Sequence, residues 1–120
     1  MRLDKLVKTT VSALEDIKGR DIVVLDVRRM TALFDRIILA SADSARQGKA
    51  LSRNVQEKLK AAGARVQGVE GEREGEWILV DLGPVVVHIM QHAVRKYYNL
   101  EELWGPPARK ARRKSRSASA

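Results

Sequence analysis

The first 17 residues place their apolar side chains at the spacing of an amphipathic helix. These positions recur three or four residues apart and share one helix face; they are Leu3, Leu6, Val7, Thr10, Leu14 and Ile17. Lys18 and Gly19 follow, and a basic residue before a glycine is typical of a helix C-terminus. The pattern predicts a first helix that ends near Gly19.

Two short apolar runs come next, and each has the composition of a buried strand. Residues 21–27, DIVVLDV, form a continuous aliphatic and β-branched run, which favours a central strand covered on both faces. Residues 36–40, RIILA, form a second buried strand that ends at Ser41. A second helix then begins at Ser41 or Asp43, both good N-caps, and ends at Gly63.

The rest of the folded region predicts a meander and a short helix. Residues 65–70 alternate like an edge strand, and residues 76–82 and 85–89 are strands joined across Gly83 and Pro84. Helical spacing resumes after this hairpin, at Met90, Ala93, Val94 and Tyr97.

The element order α β β α β β β α indicates a single α/β (α+β) domain with a mixed, mostly five-stranded sheet and flanking helices. A helical connection usually joins parallel neighbours, so the strand from Val66 is expected to run parallel to the strand from Ile37.

The net charge of +8 is concentrated at the C-terminus. Residues 1–104 hold 17 Lys and Arg against 15 Asp and Glu, a balance of +2. The segment 105–120 adds six cations and no acid; they are Arg109, Lys110, Arg112, Arg113, Lys114 and Arg116. It opens with Gly-Pro-Pro and has no large apolar residue, so we expect residues 1–104 to form the domain and 105–120 a disordered basic tail.

Composition excludes several classes of protein. With 120 residues the chain can form one core, and no apolar run approaches the roughly 20 residues of a membrane-spanning helix. The absence of cysteine excludes disulfides, thiolate metal sites and a cysteine nucleophile. The N-terminal segment lacks the apolar core of a secretory signal, so we expect a cytoplasmic protein.

Two groups of polar residues could carry chemistry. Glu70, Asp81 and His88 fall on successive predicted strands and could hold a metal or act as acid and base. Each also has a structural explanation, such as a histidine bonded to a carboxylate, and we favour that explanation. The segment 41–46 could meet a phosphate at a helix N-terminus, but it lacks the glycines of a phosphate loop, and helix capping is favoured.

The aromatic residues give the best clue to function. Only five are present, namely Phe34, Trp77, Tyr97, Tyr98 and Trp104. Ile78, Val80 and Leu82 form an apolar strand face, which leaves Trp77 on the other face. Trp and Tyr side chains at a surface are typical of protein interfaces, so these residues indicate either a docking patch or simple packing at the edge of the core.

Several motifs together resemble the ribosome silencing factors, the Iojap family. They are Lys18–Ile22, Asp26–Val27, Val69–Gly71, Glu76–Gly83, Val87–His88 and Tyr98–Trp104. The resemblance spans nearly all of residues 1–104. It implies a nucleotidyltransferase-like fold. Nucleotidyltransferases hold metal ions with paired carboxylates, and no D-x-D or D-x-E pair lies on a predicted strand here. We therefore expect no enzymatic activity and no cofactor.

The resemblance also implies a translational repressor. Members of the family bind the large ribosomal subunit through ribosomal protein L fourteen, at the face where the small subunit docks, and lower translation when nutrients are short. We assign partner binding to seven residues: Trp77, Asp81, Arg95, Tyr98, Leu100, Leu103 and Trp104. The basic tail is assigned a non-specific contact with rRNA, and the same aromatic patch could also pair two free copies into a homodimer.

This chain departs from the family pattern at two places. The usual Thr-Gly-x-Ser-Ser-x-x-His stretch is replaced by the segment from Ser41 to Gln47, and the usual Asp-x-Gly-Asp turn becomes Asp81-Leu82-Gly83-Pro84. The alternative hypothesis is a metal-dependent, nucleotidyltransferase-like enzyme acting on nucleotide or RNA. A third, free RNA binding by residues 1–104, is disfavoured by their near-neutral charge.

Overall fold

The computed structural model describes residues 1–104 and the backbone of residues 109–110. Four helices and six strands occur in this part of the chain. The helices are α1 (Leu3–Asp16), α2 (Ala45–Ala61), α3 (His92–Tyr98) and α4 (Leu100–Leu103). The strands are β1 (Arg20–Asp26), β2 (Arg36–Ala42), β3 (Gly68–Glu70), β4 (Trp77–Asp81), β5 (Val85–Gln91) and β6 (Arg109–Lys110).

The strands form one mixed sheet in the order β3-β4-β5-β2-β1-β6. β2 and β5 pair in parallel, and all other neighbours are antiparallel. The predicted class, a single domain with flanking helices and a mixed sheet, is confirmed, and the meander β3-β4-β5 is present with β3 at the edge.

The predicted parallel direction of β3 and β2 is confirmed, but the two strands are not neighbours. β3 pairs with β4, and the parallel partner of β2 is β5. The connection from β2 through α2 therefore skips two positions before the meander returns to the middle of the sheet.

The central position predicted for β1 is also wrong. β1 pairs with β2 on one side and, on the other, only Val23 and Val24 pair with the two residues of β6. Its two faces are nevertheless both covered, because Ile22 and Val24 pack against one core and Val23 and Leu25 belong to the other. The apolar run of β1 is therefore explained by the burial of both its faces, although the strand lies near one end of the sheet.

The sheet separates two cores. α1 and α2 cover one face, where the even-numbered residues of β4 and β2 meet the helices, including fully buried Ile78, Val80 and Ile38. The other face holds a smaller core around Leu25, Val27, Ile37, Leu39 and Met90. Trp77, Phe34, Val94, Leu100 and Trp104 are only partly buried against this second core.

The N-cap of α2 is Ser44, which lies three residues after Ser41 and one residue after Asp43, the two predicted caps. The hydroxyl of Ser44 accepts a hydrogen bond from the backbone N–H of Gln47 at 3.0 Å. Gln47 in turn accepts from the N–H of Asp43 at 2.6 Å and donates to the carbonyls of Ile17 and Lys18 at 3.1 Å. Gln47 therefore satisfies the helix start and ties it to the end of α1.

The tail lies mostly outside the described residues. The backbone at Arg109 and Lys110 forms β6, a short strand that pairs with β1 and that the sequence did not predict. The edge of β1 leaves backbone groups available for this pairing. Within residues 1–104, no helix is long and apolar enough to cross a membrane.

Candidate functional site

A shallow groove on the second sheet face is the site at which the predicted partner-binding residues meet. Its volume is about 580 Å³. The floor consists of side chains from β2, β4 and β5, and the walls come from the β1–β2 loop and α4. The lining residues are Leu33, Phe34, Ile37, Gln67, Leu79, Asp81, Gly83, Val86, His88, Leu100 and Trp104. We call this surface the aromatic groove, and it includes the neighbouring Trp77, Tyr97 and Tyr98.

Strand register explains the floor of the groove. Leu79 of β4 lies opposite His88 of β5, and His88 lies beside Leu39 of β2. Residues at matched register project from the same face of a sheet. A residue on this face therefore faces the groove, whereas its neighbour in sequence enters the core under α1 and α2.

Trp77 is held by a hydrogen bond and by aromatic contacts. Its indole N–H donates to Nδ1 of His88 at 2.9 Å. Its ring centroid lies 4.8 Å from that of Tyr98, and Tyr98 in turn packs edge-on against Tyr97 at 5.0 Å. Trp77 is thus half-buried and fixed in orientation, while it supports two tyrosines at the surface.

The sequence predicted a carboxylate as the partner of His88. Within residues 1–104, its side-chain hydrogen-bond partner is the indole of Trp77 instead. Burial lowers the pKa of its imidazole from 6.5 to about 4, so the ring is neutral at pH 7. A neutral ring keeps a lone pair on Nδ1, which the Trp77 N–H requires. The role of His88 is to position the indole.

The other two members of the suggested metal cluster lie elsewhere. Asp81 accepts a hydrogen bond from the backbone N–H of Gly83 at 2.9 Å and lines one end of the groove. Glu70 pairs with Leu79 at the exposed edge strand β3. Within residues 1–104, no three acidic or histidine side chains are grouped as metal ligands would be.

Two walls rise beside the groove. Phe34, from the β1–β2 loop, packs edge-on against Trp104, with ring centroids 5.8 Å apart. Next to Phe34, Leu33 is 83% exposed, and on α4 Leu103 is 66% exposed. Large apolar side chains so open to solvent, grouped beside an apolar groove, are typical of a docking surface.

The β1–β2 loop is anchored at its base. Asp26 binds the guanidinium of Arg28 at 2.7 Å and that of Arg36 at 3.3 Å. The hydrogen bond from the Arg28 side chain is the main reason that the pKa of Asp26 falls to about 2. The loop backbone is also bonded to the β4–β5 hairpin, where the carbonyl of Pro84 accepts from the N–H of Asp35 at 2.7 Å.

Arg95 of α3 is buried against the start of β1 and the end of β2. It is 8% exposed, and its guanidinium donates to the hydroxyl of Ser41 at 2.9 Å and to the carboxylate of Glu101 at 3.2 Å. It also donates to the backbone carbonyl of Asp21 at 2.5 Å. Arg95 thus joins α3 and α4 to the ends of β1 and β2, and its charge is paired with Glu101 inside the protein.

The start of α3 is fixed by a second polar contact. The carboxylate of Asp43 lies 2.6 Å from Nε2 of His92 and 3.2 Å from Nε of Arg20. The hydrogen bond with His92 is the main reason that the pKa of Asp43 is lowered. The segment 41–47 therefore caps α2 and holds α3, in agreement with the capping interpretation.

Six of the seven residues assigned to partner binding belong to the groove or to the helices that border it. Asp81, Leu100 and Trp104 line it, Trp77 and Tyr98 adjoin it, and Leu103 lies on α4; Arg95 alone is internal. Leu33 and Val86 of the groove lining were not predicted from the sequence, and His88 was predicted only as a member of the group with Glu70 and Asp81. The signal for Leu33 was available, since Met30, Leu33 and Phe34 are large apolar residues in a loop between two strands.

Comparison with known proteins agrees with this architecture. The family model described as "Ribosomal silencing factor during starvation" matches residues 1–119. The ribosomal silencing factor RsfS of Chromobacterium violaceum is 54% identical over 105 residues, which cover 88% of this chain and 86% of that protein. The chloroplastic Iojap protein of Zea mays is 36% identical over 93 residues, which cover 78% of this chain and 40% of that longer protein.

A solved structure shows the same fold. The crystal structure of a Chromobacterium violaceum protein, 50% identical, superposes with a TM-score of 0.87 and covers 96% of this chain and 100% of its own. Sequence, fold and family model agree, and the chain belongs to the ribosomal silencing factor family, whose role is regulatory.

Proposed function

We propose that this protein lowers translation by docking through the aromatic groove on ribosomal protein L fourteen of the large subunit and obstructing the small subunit. The carrying observation is that Leu33, which lines the groove, is 83% exposed, and that Tyr98 of α3 and Leu103 of α4 are 53% and 66% exposed. Tyr98 contacts Trp77, which is bonded to His88 of the groove, and α4 contributes Leu100 to the groove lining. Burying such side chains against a partner would contribute roughly 25 cal/mol per Å² of apolar surface. Family membership supports the ribosome as the assembly that supplies the partner.

The proposed mechanism is competition for a surface. The protein does not transform a molecule; it needs only to remain bound longer than an attempt of the two subunits to join. The fixed orientation of Trp77 favours this, because a preorganised anchor loses little side-chain entropy on binding. The protein would act in the cytoplasm, and a homodimer formed through the same groove would compete with the ribosome.

The test uses the most exposed residues, because they can be changed without loss of core packing. Trp77→Ala would remove packing from the second core, so it would not leave the fold intact. We therefore choose Leu33→Glu and Leu103→Glu, with Ser12→Glu on the exposed face of α1 as the matched control. Each variant is mixed with purified large subunits and sedimented, and subunit joining is followed by light scattering.

We expect the two groove variants to lose at least about tenfold in affinity, since burying an unpaired charge costs well over 1 kcal/mol. The Ser12 control should bind and inhibit joining like the unchanged protein. Binding to isolated L fourteen should show the same ranking. Equal binding by all the variants would refute the groove as the docking site, and binding to large subunits without affinity for L fourteen would refute that partner.

A further inference from the structure

The exposed face of α2 carries a row of cations that the docking groove does not use. Arg46, Lys49, Arg53 and Lys60 are spaced by three, four and seven residues, which places all four on one side of a helix. α2 as a whole holds five cations against one acid, Glu57. Without Lys58, which pairs with Asp16, the four cations of the row and Glu57 give a local charge of +3 that the near-neutral balance of residues 1–104 hides.

This row points away from the sheet. The buried residues of α2 are Gly48, Leu51, Ser52, Val55 and Leu59, which form the opposite side of the helix. Arg46, Arg53 and Lys60 are exposed, and Lys49 is half-buried. From Arg46 to Lys60 the row extends about 21 Å along the helix, at 1.5 Å per residue.

Glu57 is the one acid of α2 and lies between Arg53 and Lys60 on the same face, but it makes no close ion pair with them. Lys58, which lies outside the row, pairs with Asp16 of α1 at 2.6 Å. Within residues 1–104, no carboxylate lies within 4.0 Å of the charged nitrogens of Arg46, Lys49, Arg53 or Lys60. The nearby Glu72 is bound instead to Ser52 and Gln56, at 3.1 and 3.2 Å, along one flank of α2.

We infer that the cationic face of α2 binds the sugar-phosphate backbone of RNA. An extended row of unpaired cations attracts a polyanion by releasing its condensed counterions, without sequence preference. An anionic membrane fits less well, because membrane-surface helices place large apolar residues beside their cations. Within residues 1–104, none of the large exposed apolar residues lies on α2.

The position of α2 gives this contact a distinct role. α2 covers the first sheet face, whereas the aromatic groove lies on the second. The sheet separates the two surfaces, so RNA and the docking partner can be bound at once. The inference goes beyond the proposed docking function and does not depend on it.

The experiment measures the binding of the full-length protein to a fluorescein-labelled RNA hairpin by anisotropy over a range of salt concentrations. The test variant combines Arg46→Gln, Lys49→Gln and Arg53→Gln. The matched control combines Arg2→Gln, Lys5→Gln and Lys8→Gln, which removes three exposed cations from the N-terminus and α1. The C-terminal tail is unchanged in both, so its contribution cancels.

We expect the α2 variant to bind at least about fivefold more weakly at low salt. Its plot of log K against log salt should be flatter by about two, since each phosphate contact contributes roughly 0.7 to 0.9. The α1 control should change the affinity at low salt and the slope of log K against log salt by only a small fraction of these amounts. Glu57→Gln removes the acid that lies among the cations and should tighten RNA binding about twofold. A gain in affinity cannot be explained by misfolding.

The inference is overturned if the α2 variant, with an unchanged melting temperature, binds RNA like the parent protein. Equal losses in the α2 variant and the α1 control would also overturn it, because they would show an effect of net charge alone. Vesicles containing phosphatidylglycerol serve as the second probe. Binding to them that depends on the α2 row, without such dependence for RNA, would replace RNA with a membrane surface.

Discussion

The indole N–H of Trp77 donates to Nδ1 of His88 across the β4–β5 pair, at a distance of 2.9 Å. The bond connects the half-buried aromatic ring beside the groove to a residue on the groove floor. Because Nδ1 accepts only when it is unprotonated, the orientation of Trp77 depends on a neutral His88. Stability and the orientation of the Trp77 ring are therefore coupled through one proton.

The stability of the protein should fall as the pH drops below about 6.5. The pKa of His88 is about 4 in the folded protein, whereas an ordinary histidine, as in the unfolded chain, has a pKa of 6.5. Between pH 6.5 and 4 the unfolded chain therefore binds the proton more readily than the folded protein. The stabilisation is fully present above pH 6.5 and declines through the window down to about pH 4. The total loss is on the order of 3 kcal/mol, which urea unfolding at several pH values would measure.

The matched variant for this pH dependence is His88→Gln, which keeps an acceptor for the indole and cannot titrate. We expect its unfolding free energy to change less between pH 6.5 and 4 than that of the unchanged protein. An identical pH profile for the two proteins would show that other groups cause the decline.

Replacing Trp77 with Phe should separate the hydrogen bond from the aromatic packing. A phenyl ring can still contact Tyr98 but cannot donate to His88. Since a buried acceptor loses its partner, we expect a loss of roughly 1 to 3 kcal/mol in unfolding free energy. Chemical denaturation measures this, and the ring resonances of Tyr98 report whether the tyrosine contact survives. No loss of stability would show that the bond contributes little.

Removing the buried guanidinium should release the helices beside the groove. Arg95→Leu keeps apolar bulk but leaves the carbonyl of Asp21, the hydroxyl of Ser41 and the carboxylate of Glu101 without their donor. We expect a loss of about 3 kcal/mol or more, with faster hydrogen exchange in α3 and α4. Lys96→Leu, at an exposed position on the same helix, is the control and should be nearly neutral.

A methyl group at Gly71 should disrupt the start of β4. Gly71 has a φ of +82°, and a Cβ there would lie 2.1 Å from the carbonyl oxygen of Trp77. We expect Gly71→Ala to cost at least about 2 kcal/mol, because positive φ and a backbone clash act together. Gly63→Ala also has positive φ, +87°, but meets nothing within 4 Å, so it should cost only about 1 kcal/mol. Equal thermal melting shifts in the two variants would contradict the clash.

Deletion of residues 105–120 should weaken binding to large subunits, chiefly at low salt. The tail carries six cations, and counterion release makes their contribution fall steeply as salt rises. Sedimentation with large subunits at two ionic strengths measures the effect. Unchanged salt dependence would remove the tail from the binding surface.

Local patterns along the chain determined most of the elements and both faces of β4. The alternation of Ile78, Val80 and Leu82 with Trp77, Leu79 and Asp81 fixes which side chains share a face, because successive residues of a strand point in opposite directions. Helical spacing likewise predicted α1 and α2. The motifs of residues 1–104 were specific enough to indicate the family on their own.

Only the tertiary structure decided which distant residues meet. The pairing of β2 with β5 brings together residues nearly 50 positions apart, and it is this pairing that sets Leu39 beside His88. The same packing gives His88 an indole as its partner in place of a carboxylate, buries the Arg95 side chain of α3 against β1, β2 and α4, and places Leu33 at the groove wall. Short-range periodicity carries no information about such contacts, because they depend on how whole elements pack across the sheet.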